Sequence, residues 1–86
     1  MAEVELYTTT FCPYCARARV LLERKGVPYT NIDIIEQPER RDEMIRRAGR
    51  TSVPQIFING EHIGGSDELA ALERAGTLDA RLRSEK

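Results

Sequence analysis

No run of apolar residues in this chain approaches the roughly 20 needed to cross a bilayer, so a membrane-spanning helix is not expected. There is no excess of charge of either sign. Thirteen basic side chains stand against 14 acidic ones, for a net charge near −1, which argues against nucleic acid as a bulk electrostatic partner. The opening residues, Met1-Ala2-Glu3-Val4-Glu5-Leu6, lack the basic segment and long apolar stretch of a secretory signal. The expected compartment is therefore the cytoplasm, where thiols stay reduced. Cysteine is scarce too, with Cys12 and Cys15 alone and three positions apart. A structural disulfide between them would close a tiny loop and constrain the unfolded chain little. A zinc site would need further ligands, and the sequence offers only His62 and no second cysteine pair. No metal is expected.

What remains is a globular composition, 41% hydrophobic and 31% charged over 86 residues. That length accommodates one domain, 1–86. Val4, Leu6 and Thr8 alternate with Glu5 and Tyr7 and predict a strand over about 3–8. Pro13 suits the first position of a helix, because its missing N–H would have had no partner there. That helix runs to about Lys25, with Cys15, Ala18 and Leu22 on one face, and Gly26 and Pro28 stop it. Residues 29–35 are rich in β-formers and predict a second strand. Pro38 opens a helix to about Ala48 that carries Met44 and Ile45. A third strand is expected over 53–58. Asn59-Gly60 is a favoured two-residue hairpin turn leading to a short edge strand over 61–64. Ser66 is the expected N-cap of a helix ending at Gly76, and a last helix spans about 77–83. The order β-α-β-α-β-β-α, with one more helix, implies an α/β fold: a four-stranded mixed sheet flanked by helices on both faces. Its first two strands are parallel and its last two antiparallel.

Cys12-Pro13-Tyr14-Cys15 leaves a strand and enters a helix. The unpaired N–H groups of a first helical turn favour a negative charge, so they favour thiolate, the nucleophilic form, at Cys12. Cys15 lies one turn along the same face, within reach of a disulfide and more buried. Tyr14 is expected to be exposed and to flank a substrate. Downstream, Gly64-Gly65-Ser66-Asp67 opens a helix where glycine permits close approach and N–H groups can hold a carboxylate. A plain capped helix start explains the same residues.

Three separated stretches carry a resemblance. Thr10-Phe11-Cys12-Pro13-Tyr14-Cys15, Thr51-Ser52-Val53-Pro54-Gln55-Ile56-Phe57-Ile58 and Ile63-Gly64-Gly65-Ser66-Asp67 match, in order and spacing, the dithiol type of the glutaredoxin family, nearest its short bacterial glutaredoxin 3 type. The resemblance covers essentially the whole chain and implies the thioredoxin fold. It implies a glutathione-dependent thiol–disulfide oxidoreductase in which Cys12 attacks and Cys15 resolves. It also implies a cis bond before Pro54, with the Val53 backbone meeting an incoming cysteinyl backbone. Gly65, Ser66 and Asp67 would hold the γ-glutamyl end of glutathione. Many relatives carry a lysine three residues before the first cysteine. Thr9 stands there instead, and Arg41 matches a position that contacts the glycyl carboxylate in some relatives. The other arginines around the second helix are read as solvated or paired with neighbouring acids. The implied co-substrate is glutathione, with no tightly bound cofactor. The implied partners are protein disulfides and glutathionylated proteins, among them ribonucleotide reductase, with the chain monomeric. Two alternatives are a redoxin fed by thioredoxin reductase and a glutathione-bridged dimer carrying a [2Fe–2S] cluster. His62 is expected at the surface with no role. Tyr7 and Phe11 are expected to pack near the cysteines as core.

Overall fold

The structure, a computed structural model, describes residues 2–84. The expected domain over 1–86 includes Met1, Glu85 and Lys86, which lie outside the described residues. The elements are β1 (Val4–Thr8), α1 (Pro13–Arg24), β2 (Thr30–Asp33), α2 (Glu39–Ala48), β3 (Gln55–Ile58), β4 (Glu61–Gly64), α3 (Ser66–Arg74) and α4 (Leu78–Arg83). The sheet order is β2-β1-β3-β4. β1 runs parallel to β2 and antiparallel to β3, and β4 returns antiparallel to β3. Among the described residues no helix is long and apolar enough to cross a membrane.

Period-two alternation sorts the sheet's side chains onto two covered faces. Val4 and Leu6 of β1 join Ile56 and Ile58 of β3 beneath α1, α3 and α4, against Ala18, Leu22, Leu69, Leu78 and Leu82. Tyr7 and Phe57, one residue out of phase, point the other way with Ile32, Ile34 and Met44 of α2. Each fully buried leucine contributes about 1.5–3 kcal/mol by area, and Leu22, Leu69 and Leu78 are all at 0% exposure. They therefore fasten α1, α3 and α4 to this face of the sheet. The β3–β4 connection is the expected turn. Asn59 and Gly60 both take positive φ, 54° and 81°, as the tight hairpin geometry requires.

Several boundaries differ from expectation. β2 covers 30–33 only, because the Asp33 carboxylate accepts the N–H groups of Ile35 and Glu36 and turns the chain. β3 starts at Gln55, since Pro54 has no N–H to give a ladder. The N-cap of α3 is Gly65, not Ser66. Glu68, three residues on, accepts the Gly65 N–H at 2.6 Å, which is the carboxylate half of a capping box. A side chain on Gly64 would run into that carboxylate: a Cβ there would lie 2.4 Å from Glu68 Oε1, and φ is +121°.

Candidate functional site

Cys12 is the N-cap of α1, and Pro13 follows at the first helical position. Its sulfur accepts the Cys15 N–H at 3.3 Å. The thiol also lies 3.8 Å from the Val53 carbonyl, to which it donates. No acidic side chain occupies the first turn of α1 to oppose a negative charge there. Partial burial pushes the Cys12 thiol up. The Cys15 thiol, the N–H groups of Cys15 and Tyr14, and the Arg19 guanidinium outweigh it and leave the thiol below its ordinary range. Cys15 is at 0% exposure. Burial, then the neighbouring Cys12, push its thiol up to about 12. Both cysteines are free thiols.

Beside Cys12, Tyr14 is exposed as expected and lies 5.2 Å under the Arg17 guanidinium. Phe11 is not core: it is 95% exposed, because it sits on the turn that lifts the chain from β1 into α1. The Val53–Pro54 bond is cis. A cleft of about 240 Å³ runs from Tyr14, Val53 and Pro54 to Gly65, Ser66 and Asp67 at the first turn of α3. Arg50, Ser52, Gln55 and Glu68 complete its lining. The cleft thus brings together Tyr14, Val53, Pro54, Gly65, Ser66 and Asp67, the expected glutathione contacts other than Arg41. Arg41 is exposed on α2 and does not line it.

Four features escaped the sequence reading. Gln55, 1% exposed, donates to Ser52 O at 3.0 Å and to Ser52 Oγ at 3.3 Å. It accepts from His62 Nε2 at 2.7 Å. His62 is therefore not a plain surface residue. Its ring is half-buried, with its centroid 5.1 Å from that of Phe57, and it braces the segment that leads into Val53. Arg19, four residues after Cys15, falls on the same side of α1, and only that spacing could have flagged it. Arg47 is not a solvated arginine. It lies 4.0 Å over the Phe57 ring, donates to the buried Tyr7 hydroxyl and pairs with Glu5, while the Glu43 carboxylate accepts from the Tyr7 hydroxyl and pairs with Arg40. Arg50 pairs with Glu68 at 3.1 Å. The Gly65–Glu68 spacing was the one sequence signal for that contact.

Comparison with known proteins places this arrangement. The glutaredoxin family model matches residues 4–63. The chain is 56% identical to a glutaredoxin of Pseudomonas aeruginosa over 82 residues, covering 95% of this chain and 98% of that protein. It is 53% identical to glutaredoxin 3 of Escherichia coli K12, covering 96% of this chain and all of that one. The solution structure of a glutaredoxin from Brucella melitensis superposes with a TM-score of 0.84 at 52% identity, over 96% of this chain and 90% of that one. A buckwheat glutaredoxin–glutathione complex superposes at 0.86 with 28% identity, over 94% and 76%. The chain belongs to the glutaredoxin family, has its thioredoxin fold and is a thiol–disulfide oxidoreductase by that membership.

Proposed function

We propose that this glutaredoxin-family chain reduces protein–glutathione mixed disulfides and protein disulfides at the expense of glutathione, working in the cytoplasm as a monomer of one domain over 1–86. The observation that carries the reading is the contrast at α1: a Cys12 thiol lowered at the helix start, against a buried Cys15 thiol at about 12. Cys12 thiolate attacks the glutathione sulfur of a mixed disulfide. The old S–S bond breaks, the protein leaves as a thiolate that takes a proton, and Cys12 becomes bonded to glutathione. A second glutathione thiolate then attacks that glutathione sulfur, frees Cys12 and leaves as glutathione disulfide. With a protein disulfide, Cys12 attacks first. Cys15, once deprotonated, displaces the protein and leaves Cys12–Cys15 oxidised, and two glutathiones return the pair to thiols. Glutaredoxins as a class sit near −200 to −230 mV, within reach of the cytosolic glutathione pool.

The remaining residues take binding roles in this scheme. Ionising Cys12 removes the proton that the Val53 carbonyl accepts, and so releases that carbonyl to the N–H of an incoming cysteinyl residue. Pro54 holds the turn that presents it, and Tyr14 walls the cleft opposite. The first-turn N–H groups at Ser66 and Asp67 suit the α-carboxylate of the γ-glutamyl end, Gly65 leaves room for it to approach the backbone, and the Asp67 carboxylate suits its ammonium. Arg41 is the proposed cation for the glycyl carboxylate, since Thr9 has no charge to offer. Protein substrates would include glutathionylated proteins and ribonucleotide reductase.

The test is reduction of a glutathionylated peptide, coupled through glutathione reductase and NADPH. Cys12→Ser is expected to fall to background, while Cys15→Ser keeps turnover on the mixed disulfide and loses it on a protein disulfide. Near-normal turnover by Cys12→Ser, or parent activity only when thioredoxin reductase replaces glutathione, would sink the proposal.

A further inference from the structure

The charge balance of the cleft is unusual for a site that takes an anion. Among the described residues lining it, Asp67 and Glu68 are acidic and Arg50 is the one cation. Glutathione itself carries two carboxylates and one ammonium, so one net negative charge approaches a cleft whose own lining sums to one negative charge. Without Arg50 the lining would carry two. The Glu68 carboxylate cannot swing far from the α3 terminus, because its Oε1 holds the Gly65 N–H at 2.6 Å. Gly64 leaves the space in which it folds back. The same Oε1 accepts from the Arg50 guanidinium at 3.1 Å. A fixed anion therefore stands beside the N–H groups meant for a ligand carboxylate, and one arginine from the α2–β3 loop covers it.

We propose that Arg50 sets the affinity of this cleft for the γ-glutamyl end of glutathione by neutralising the Glu68 carboxylate at the first turn of α3. The inference rests on the glutathione reading above and adds a specificity-determining residue to it. Arg50 is a positioning and screening group: it acts through Glu68 and takes no part in bond making. Its partner distance and half-exposure put the pair where an ion pair adds little to stability, while an uncovered carboxylate still repels a nearby ligand carboxylate.

The experiment uses the full chain carrying Cys15→Ser, so that a mixed disulfide on Cys12 persists. Cys12 thiolate attacks glutathione disulfide, the S–S bond breaks, and one glutathione leaves as thiolate. Intact-mass spectrometry over a series of thiol-to-disulfide ratios reads the equilibrium constant. The same titration is run with cysteinylglycine, which lacks the γ-glutamyl residue. Arg50→Gln is expected to lower the constant for glutathione about tenfold, by the removal of one screening charge at contact range. The constant for cysteinylglycine should stay unchanged. Adding Glu68→Gln to Arg50→Gln keeps an oxygen for the Gly65 N–H and should recover most of the loss, and Arg50→Lys should keep most of the affinity. Rising salt should shrink the gap between Arg50→Gln and the parent. An unchanged constant in Arg50→Gln, an equal loss with both thiols, or no recovery with Glu68→Gln each overturns the inference. A parent that takes glutathione no better than cysteinylglycine overturns the glutathione reading itself, which separates the two failures.

Discussion

Cys12 stands at the mouth of α1 with its sulfur against a backbone N–H, whereas Cys15, one turn further along, is fully buried on the same side of the helix as Ala18 and Leu22. The two side chains are the same thiol in opposite surroundings. At the mouth, hydrogen-bond donors and the Arg19 charge outweigh a modest loss of solvation. At the floor, loss of solvation dominates and the neighbouring sulfur adds to it. The pair teaches that helix position alone does not make a nucleophile. Depth decides which of two cysteines on one helical face ionises, and the aliphatic face that seats α1 sets that depth.

Three measurements bear on this contrast. The largest effect is kinetic. A thiol near 12 is ionised to roughly one part in 10⁵ at pH 7, so iodoacetamide should modify Cys12 alone at neutral pH. Peptide mapping should find Cys15 modified only after unfolding. Equal labelling of both in the folded protein would erase the distinction. Next comes the seat of the helix. Leu22 shares the buried side of α1 with Cys15 and Ala18, and Leu22→Ala should cost about 2–5 kcal/mol in urea unfolding. If depth governs Cys15, the same variant should admit measurable Cys15 labelling under native conditions.

The smallest effect is the pH dependence of stability, where the two thiols pull in opposite directions. For Cys15 the folded value, about 12, lies above the ordinary thiol value near 9. Its contribution is complete below pH 9 and is lost as pH rises from 9 towards 12, because only the unfolded chain ionises in that window. For Cys12 the folded value lies below the ordinary one. Its contribution is complete above about pH 9 and is lost as pH falls through the lowered value. Urea midpoints of Cys15→Ala should therefore fall less steeply than those of the parent between pH 9 and 12. Those of Cys12→Ser should rise less steeply below pH 9. Parallel curves in either comparison would show that environment does not separate the thiols.

Much of this was legible before the structure, and the reason is range. Element order follows from hydrophobic period, proline and glycine stops and an Asn-Gly turn, all of which act within a few residues. The Cys12–Cys15 pair and its setting at a helix start are equally local, so the redox chemistry could be read from four adjacent residues. The cleft's further lining was less legible. Arg50 meets Glu68 across 18 positions, His62 meets Gln55 across the hairpin, and Arg47 meets Tyr7 across 40. An arginine near other charges reads as surface in any local window. Only the path of the chain shows that Arg47 covers Phe57 and that Arg50 covers Glu68.

The sequence by itself determined that a strand ends, a helix begins and a cysteine stands at the junction, because capping and helical spacing are written within one turn. Tertiary structure alone decided that Phe11 points outward and that the loop before Pro54 is braced by a buried Gln55. Burial and long-range hydrogen bonding depend on which elements pack together, and no local pattern of residue types specifies that.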